Sequence, residues 1–380
     1  MPLRIWCERL IGLLYGHDVQ DCIMPAVKAA NPRQIFGADD WKAITAVSPW
    51  RGGGLIVYSW LIVVIVAFGG TAAWNYHWLA GSATTPLVLA ILGGRQLGLA
   101  ILMHDAAHGL LHPTRKFNNW LGEWASGAAV GSDLQSYRAY HLTHHRFTQQ
   151  PEDPDLGLSA PFPTSRSSLW RKVLRDLTGR TFFKQRSSQF RMAARGIRTM
   201  LQGASNMPAK RNTITGTSFN KPEQGGNGLG PSDAASIAVA KTVVRFLTVQ
   251  VMLLTISLLV WGWTPYLLWL AALATTFQLF LRIRNIAEHA CTTTGSDDPF
   301  THARTTKANW AERATVAPYW VNYHSEHHLF MGVPCYHLPR AHALLDAGGY
   351  HSRMTITKGY ADVMRQVVNI SVRPEHVEGQ

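Results

Sequence analysis

The sequence is short of charge. Asp, Glu, Lys and Arg together make 16% of its 380 residues, against about a quarter in an average soluble domain. A chain with so little charge and 47% hydrophobic residues points to a membrane. Cysteine is scarce as well. Cys7, Cys22, Cys291 and Cys335 are scattered and form no CxxC pair, which argues against a disulfide framework and against an iron–sulfur site. The apolar run 10–15 is short and lacks a small-residue cleavage signal, so it reads as part of the mature protein. Acid is the rarer sign of charge, 23 residues against 36 Lys and Arg, for a net +13. In a soluble protein that excess would raise nucleic acid as a partner. Here the placement of basic loops on the cytoplasmic side of a membrane explains it, and no nucleic-acid partner is expected.

Long apolar runs are present in fours. Leu55–Trp74, Pro86–Met103, Phe246–Trp263 and Pro265–Leu281 each have the length of a spanning helix. Only the second carries a charge, Arg95, beside Gln96. Asn75–Thr85 and Gly262–Thr264 read as tight turns, and Asn119–Leu134 as an interfacial or re-entrant helix. The expected fold class is all-α: an integral-membrane four-helix bundle of two transmembrane hairpins, with a cytoplasmic helical cap carrying the functional site. Residues 1–52 read as a cytoplasmic or interfacial N-terminal segment with short helices, and 53–380 as one domain. Residues 166–200 read either as basic amphipathic helix on anionic lipid or as a solvated charged helix. Residues 203–232, dense in Gly, Asn, Pro, Ser and Thr, read as a flexible insertion. Neither tight turn contains Lys or Arg, which places both termini and the middle segment in the cytoplasm.

Histidine is the residue in excess, 17 in all. It clusters in His104-Asp105-Ala106-Ala107-His108, in His141-Leu142-Thr143-His144-His145 and in His324-Ser325-Glu326-His327-His328, with a sparser Asn285-Ile286-Ala287-Glu288-His289. Chance would yield only about 0.03 copies of HxxHH, and there are two. Residues at i, i+3 and i+4 share a helix face, so each HxxHH is expected to aim three imidazoles at one point. Neutral imidazole is the commonest metal ligand, and eight or nine of them exceed what one metal needs. The count implies a dinuclear site. All four segments fall at span ends on the same side.

These boxes, HDAAH, HLTHH and HSEHH, on two membrane hairpins resemble the integral-membrane fatty acid desaturases and their hydroxylase relatives. Asp153-Pro154-Asp155, Arg284–His289 and Asn322–Phe330 strengthen the likeness, which covers about 86–342. The resemblance implies two iron ions, with O2 as co-substrate. Its ligands would be His104, His108, His141, His144, His145, His289, His324, His327 and His328, with Asn285 reaching an iron through water. Asp105, Asp153, Glu288 and Glu326 are placed to hold histidine N–H groups. His112 lacks a firm counterpart and is either a ligand or a residue behind one. Arg95, with Gln96, either seals the deep end of a substrate tunnel or bonds backbone carbonyls and steadies the bundle. The implied activity is desaturation of the acyl chain of a fatty acid or lipid, the alternative being a lipid or carotenoid hydroxylase or ketolase. The chain has no His-Pro-Gly-Gly haem motif, dinucleotide fingerprint or cysteine set. A separate ferredoxin-like or cytochrome-like donor on the cytoplasmic face is therefore expected. A zinc protease would need HExxH, a transmembrane haem protein paired histidines within spans, and a metal transporter ligands at mid-membrane.

Overall fold

The computed structural model describes residues 26–202 and 233–369. The apolar run 10–15, Cys7, Cys22 and the insertion 203–232 lie outside the described residues.

Among the described residues, four helices are long and apolar enough to cross a membrane: Arg51–Tyr76 (α1), Trp78–His108 (α2), Asp233–Trp261 (α6), and Thr264–His289, which is built of Thr264–Ala274 (α7) and Thr276–His289 (α8). Between them lie Leu134–Arg146 (α3), Arg166–Leu177 (α4) and Arg180–Leu201 (α5), and His324–Leu329 (α9) and Leu338–Ala347 (α10) follow. The fold is an all-α membrane bundle. One two-stranded parallel pairing, Arg304–Thr306 (β1) with Thr355–Thr357 (β2), ties the cap together and was not expected from the sequence.

The spans run longer than the apolar runs that announce them. The expected turn 75–85 shrinks to one extended residue, His77, whose ring accepts the Leu79 N–H and caps α2. Ser82, Thr84 and Thr85 lie within α2, where the Thr84 and Thr85 hydroxyls bond the carbonyls of Ala80 and Gly81 instead of breaking the helix. The second hairpin turns on Gly262, whose φ of +82° suits glycine. The fourth span breaks at Thr275, with φ −121° and ψ −83°. There the Thr276 hydroxyl crosses to the Leu89 carbonyl of α2 at 2.6 Å.

Helix α2 is the most buried of the spans. Its inner half is packed on all sides, and close approach there needs glycine. A Cβ on Gly94 would stand 2.1 Å from the carbonyl oxygen of Ala314. The segment containing Ala314 is therefore pressed onto α2 at the level of Arg95. The Arg95 guanidinium donates to the carbonyls of Ala314 (3.1 Å) and Arg313 (3.4 Å) and lies over the rings of Tyr319 and Tyr58. These are the backbone-carbonyl contacts of the second expected reading.

The expected 119–134 helix ends early, at Val130, where Gly131 turns left-handed with φ +76°; it contains a π-helical stretch over Leu121–Gly127. It packs against α1 and α6 through the Trp60 indole to the Ala125 carbonyl (2.8 Å) and the Gln250 amide to the Ala129 carbonyl (3.0 Å). It then delivers Asp133, which caps α3 by accepting from the Ser136 N–H at 2.8 Å. Arg245 of α6 pairs with Asp133 and, at 3.1 Å, with Glu123. The helix carrying the second histidine box is thus braced at its start against a span.

Candidate metal centre

Nine histidines converge at one end of the bundle in two groups. His104, His108, His141, His145 and His327 form the first, and His144, His289, His324 and His328 the second. Within each group the donor atoms lie within 4.8 Å of one another. All nine are buried except His108 and His328, which are half-buried.

The expectation that each HxxHH aims at a single point is corrected. His141 and His145 turn to the first group and His144 to the second, while His324 and His328 turn to the second and His327 to the first. Helical geometry explains the split. Residues i and i+4 differ by about 40° around the axis, whereas i+3 and i+4 differ by about 100°. One HxxHH box therefore straddles two centres, and the two boxes share them in opposite sense.

The local sequence supplies the framework. Gly109, with φ +84°, ends α2 immediately after His108. Helix α8 delivers His289 at its last turn, and a 3.0 Å contact joins its Nδ1 to the His302 carbonyl. Asp153 accepts from His144 Nδ1 (2.8 Å) and from the N–H groups of Gln149 and Asp155, each at 2.8 Å. Gln149 sits in the left-handed region at φ 60°. Its side-chain amide spans the His289 carbonyl and the Thr292 hydroxyl, which holds that conformation. Thr148 gives its hydroxyl proton to the His144 carbonyl (2.8 Å) and so faces His328 Nδ1 (3.3 Å) as acceptor. Glu288 lies 3.3 Å from His324 Nδ1 and 2.5 Å from Arg284.

In the second group every Nδ1 thus faces an acceptor, and each ring turns its Nε2 inward. The inward atoms crowd. His144 and His289 Nε2 are 3.2 Å apart, His289 and His324 2.9 Å, and His324 and His328 3.0 Å. In the first group His145 Nε2 lies 2.9 Å from His141 Nε2 and 3.0 Å from His327 Nε2, while the Nε2 atoms of His104 and His108 are buried with no hydrogen-bond partner. Facing lone pairs repel, and buried unpaired nitrogens are costly. A shared cation in each group removes both penalties, so the donor set fits two metal ions. Burial first, then neighbouring imidazoles, hold His141, His145, His327 and His328 well below the ordinary histidine pKa. For His324 the order is burial, then His289. His144 differs: burial opposes its charge, but Asp153 raises its pKa.

The remaining expected residues fall in different places. Asn285 lines a cleft beside the second group together with Tyr137, Asp155 and Arg284. Asp105 accepts the Cys335 N–H at 3.0 Å and keeps its other oxygen 3.4 Å from His104 Nδ1. Glu326 points away from the nine histidines. It accepts from Thr305 and from His342, whose ring packs 4.3 Å from that of His351. His112 stands apart, its Nδ1 accepting the Thr114 N–H at 2.9 Å and its ring against Phe117. Arg95 is in neither group nor cleft. Tyr137, Thr148 and the His302 carbonyl went unnoticed in the sequence. Only Tyr137 had a signal there, its place one turn before His141.

The model of the family described as fatty acid desaturase matches residues 77–360. A dihydrorhizobitoxine desaturase of Bradyrhizobium elkanii is 26% identical over 274 residues, 67% of this chain and 66% of that protein. A β-carotene ketolase of Paracoccus sp. (strain PC1) is 37% identical over 89 residues, 22% of this chain and 37% of the ketolase. A second, from Paracoccus sp. (strain N81106 / MBIC 01143), is 30% identical over 124 residues, 31% of this chain and 47% of the ketolase. The matches thus span from 37% to 66% of the relatives' own lengths. With four candidate spans, two histidine groups and a family match over most of its length, the chain belongs to the fatty acid desaturase family.

Proposed function

We propose that the chain is an O2-dependent di-iron desaturase that introduces a double bond into the acyl chain of a fatty acid or lipid. The observation that carries this reading is the pair of Nε2 clusters, five and four imidazoles fitted to two cations. His104, His108, His141, His145 and His327 would hold one iron, and His144, His289, His324 and His328 the other, with Asn285 beside the second. Bound there, iron would supply the activation of O2 that an unactivated C–H bond requires.

The other work falls to this chain's residues. Asp153, Glu288, Thr148 and the His302 carbonyl fix the rings through their outward nitrogens, which sets tautomer and direction. Burial excludes water from the facing nitrogens. Tyr137, Asp155, Arg284 and Asn285 line a small polar cleft beside the second group. Forming one double bond removes two hydrogens, and reducing O2 to two waters takes two further electrons and two protons. A separate ferredoxin-like or cytochrome-like protein would deliver those electrons. Charge-free hairpin turns and basic connecting segments support a site and termini on the cytoplasmic side. Residues 53–380 would act as one domain, with 203–232 as an insertion.

A second reading has its own support. The two β-carotene ketolase matches favour hydroxylation or ketolation of a lipid or carotenoid. Expression in hosts lacking these activities, one of them making β-carotene, separates the two. New double bonds in acyl lipids support desaturation, and oxygenated carotenoid supports the second. Full activity with stoichiometric zinc would sink both.

A further inference from the structure

Helix α4 carries a cationic cleft that the proposed chemistry does not use. The cleft, about 580 Å³, is lined by Arg171, Lys172, Arg175 and Arg180, with Leu174 among them. The only acid on the helix, Asp176, turns inward, where it is fully buried, to pair with Arg282 of α8 and accept from Thr181. Among the described residues no carboxylate forms an ion pair with the four cations. Their mutual repulsion is visible at Lys172. Burial, then the charges of Arg282, Arg175 and Arg171, push its ammonium below the ordinary lysine pKa. The Lys172 ammonium also rests 4.7 Å above the Phe162 ring.

An apolar stripe runs beside these charges. Trp170, Leu174 and Leu177 recur at i, i+4 and i+7, and all three are exposed, Trp170 by 63%. The following helix adds an exposed Phe183. The stripe has a fixed position, because the Asp176–Arg282 pair anchors α4 to the fourth candidate span and the turn at Gly179 packs against Ala274 of that span. A row of unneutralised cations beside exposed Trp and Leu, held against a span, matches an anionic headgroup above its acyl chains.

We propose that the α4 cleft binds the headgroup of an anionic phospholipid, with Arg171, Lys172 and Arg175 on the phosphate and Trp170, Leu174 and Leu177 in the acyl region. This site is separate from the metal centre and its occupancy is read without turnover. The test is a native mass-spectrometric titration of the iron-loaded, detergent-solubilised full chain with phosphatidylglycerol and, separately, phosphatidylcholine. Each cation near an anionic surface is worth about fivefold in binding, so Arg171→Gln/Lys172→Gln/Arg175→Gln should weaken phosphatidylglycerol binding by about a hundredfold. Arg171→Lys/Arg175→Lys should stay near wild type, and the wild-type preference for phosphatidylglycerol needs no variant to fold. Equal binding of the two lipids by wild type, or an unchanged constant in the triple variant with wild-type iron content, overturns the proposal. Displacement of the lipid by inorganic phosphate at the same concentration overturns it in favour of a soluble-phosphate site. Loss of binding to an acidic electron-donor protein, with lipid binding intact, overturns it in favour of a protein dock.

Discussion

His144 Nε2 lies 3.2 Å from His289 Nε2, and the outward nitrogen of each ring faces an acceptor, Asp153 for one and the His302 carbonyl for the other. The two residues come from helices 145 positions apart in the chain. A cation between the two ring nitrogens would bind both lone pairs, which makes the pair a gauge of metal occupancy.

His289→Ala should therefore lower bound iron from about two ions per chain towards one, since it removes from the second group the ring whose Nε2 faces those of both His144 and His324. Activity should be abolished. His112→Ala should keep both its iron and most of its activity, because that ring is bonded to Thr114 and packed on Phe117. Iron analysis of protein purified without added metal, alongside product formation, checks both. Equal behaviour of the two variants would overturn the assignment.

Asp153 and Glu326 offer a sharper contrast. Both are buried acids near histidine boxes, yet Asp153 holds His144 while Glu326 holds Thr305 and His342. Asp153→Asn should weaken iron binding by about 10- to 100-fold. Glu326→Gln should leave iron affinity within a few-fold and lower thermal stability by about 1–3 kcal/mol through its buried partners. A chelator competition titration and a melting curve on each variant decide. Equal losses of iron affinity would mean that both acids position ligands.

The sequence alone pointed to the bundle and to the nine histidines that the structure brings together, because hydropathy and the repeated HxxHH are local signals. The division of labour inside each box was not legible. Whether His144 or His145 turns to a given centre depends on where α3 lies relative to α8 and α9, which no spacing within the box records. The His302 carbonyl was equally hidden, since any residue can present a backbone oxygen. Glu326 does hold a histidine N–H, but that of His342; its neighbours in sequence are the box histidines while its neighbours in space, Thr305 and His342, come from β1 and α10. The turn at His77 was overestimated because Ser and Thr read as polar breakers, although their hydroxyls can bond within the helix.

Glu123 should give the protein a measurable pH response. Burial first, then the charge of Asp133, raise its pKa from 4.5 to about 6, with Arg245 pulling the other way. The folded state thus holds this proton more tightly than the unfolded state, and stability falls as pH rises from about 4.5 through about 6. The shift is worth roughly 2 kcal/mol. Glu123→Gln keeps an oxygen for the Leu134 N–H but cannot ionise. The stability advantage of wild type over this variant should be larger at pH 5 than at pH 7.5, read from melting midpoints in lipid nanodiscs. An advantage that grows with pH would show that the Arg245 ion pair outweighs burial.

Arg95 is the residue on which the expectations from sequence divided. It lies nine residues before His104, about 13 Å along the helix, which made a role at the end of a substrate tunnel conceivable. Its surroundings favour the other role. The guanidinium donates to the Arg313 and Ala314 carbonyls and is flanked by Tyr58 and Tyr319, and Tyr319 in turn bonds the Leu55 carbonyl of α1 at 3.0 Å. These contacts pin the segment before the third histidine box to the first hairpin. Tyr319 and Trp320 both sit in the left-handed region, at φ 52° and 58°, so the segment carries backbone strain that outside contacts must offset. Arg95→Leu removes donors from two carbonyls and should cost about 1.5–3 kcal/mol. Arg95→Lys should recover part of that, since an ammonium can reach one carbonyl but cannot stack as a planar group. The expected result is less folded protein, in the order wild type, Arg95→Lys, Arg95→Leu, with the product profile of the surviving enzyme unchanged. A shift in chain length or double-bond position at normal expression would return Arg95 to the substrate path.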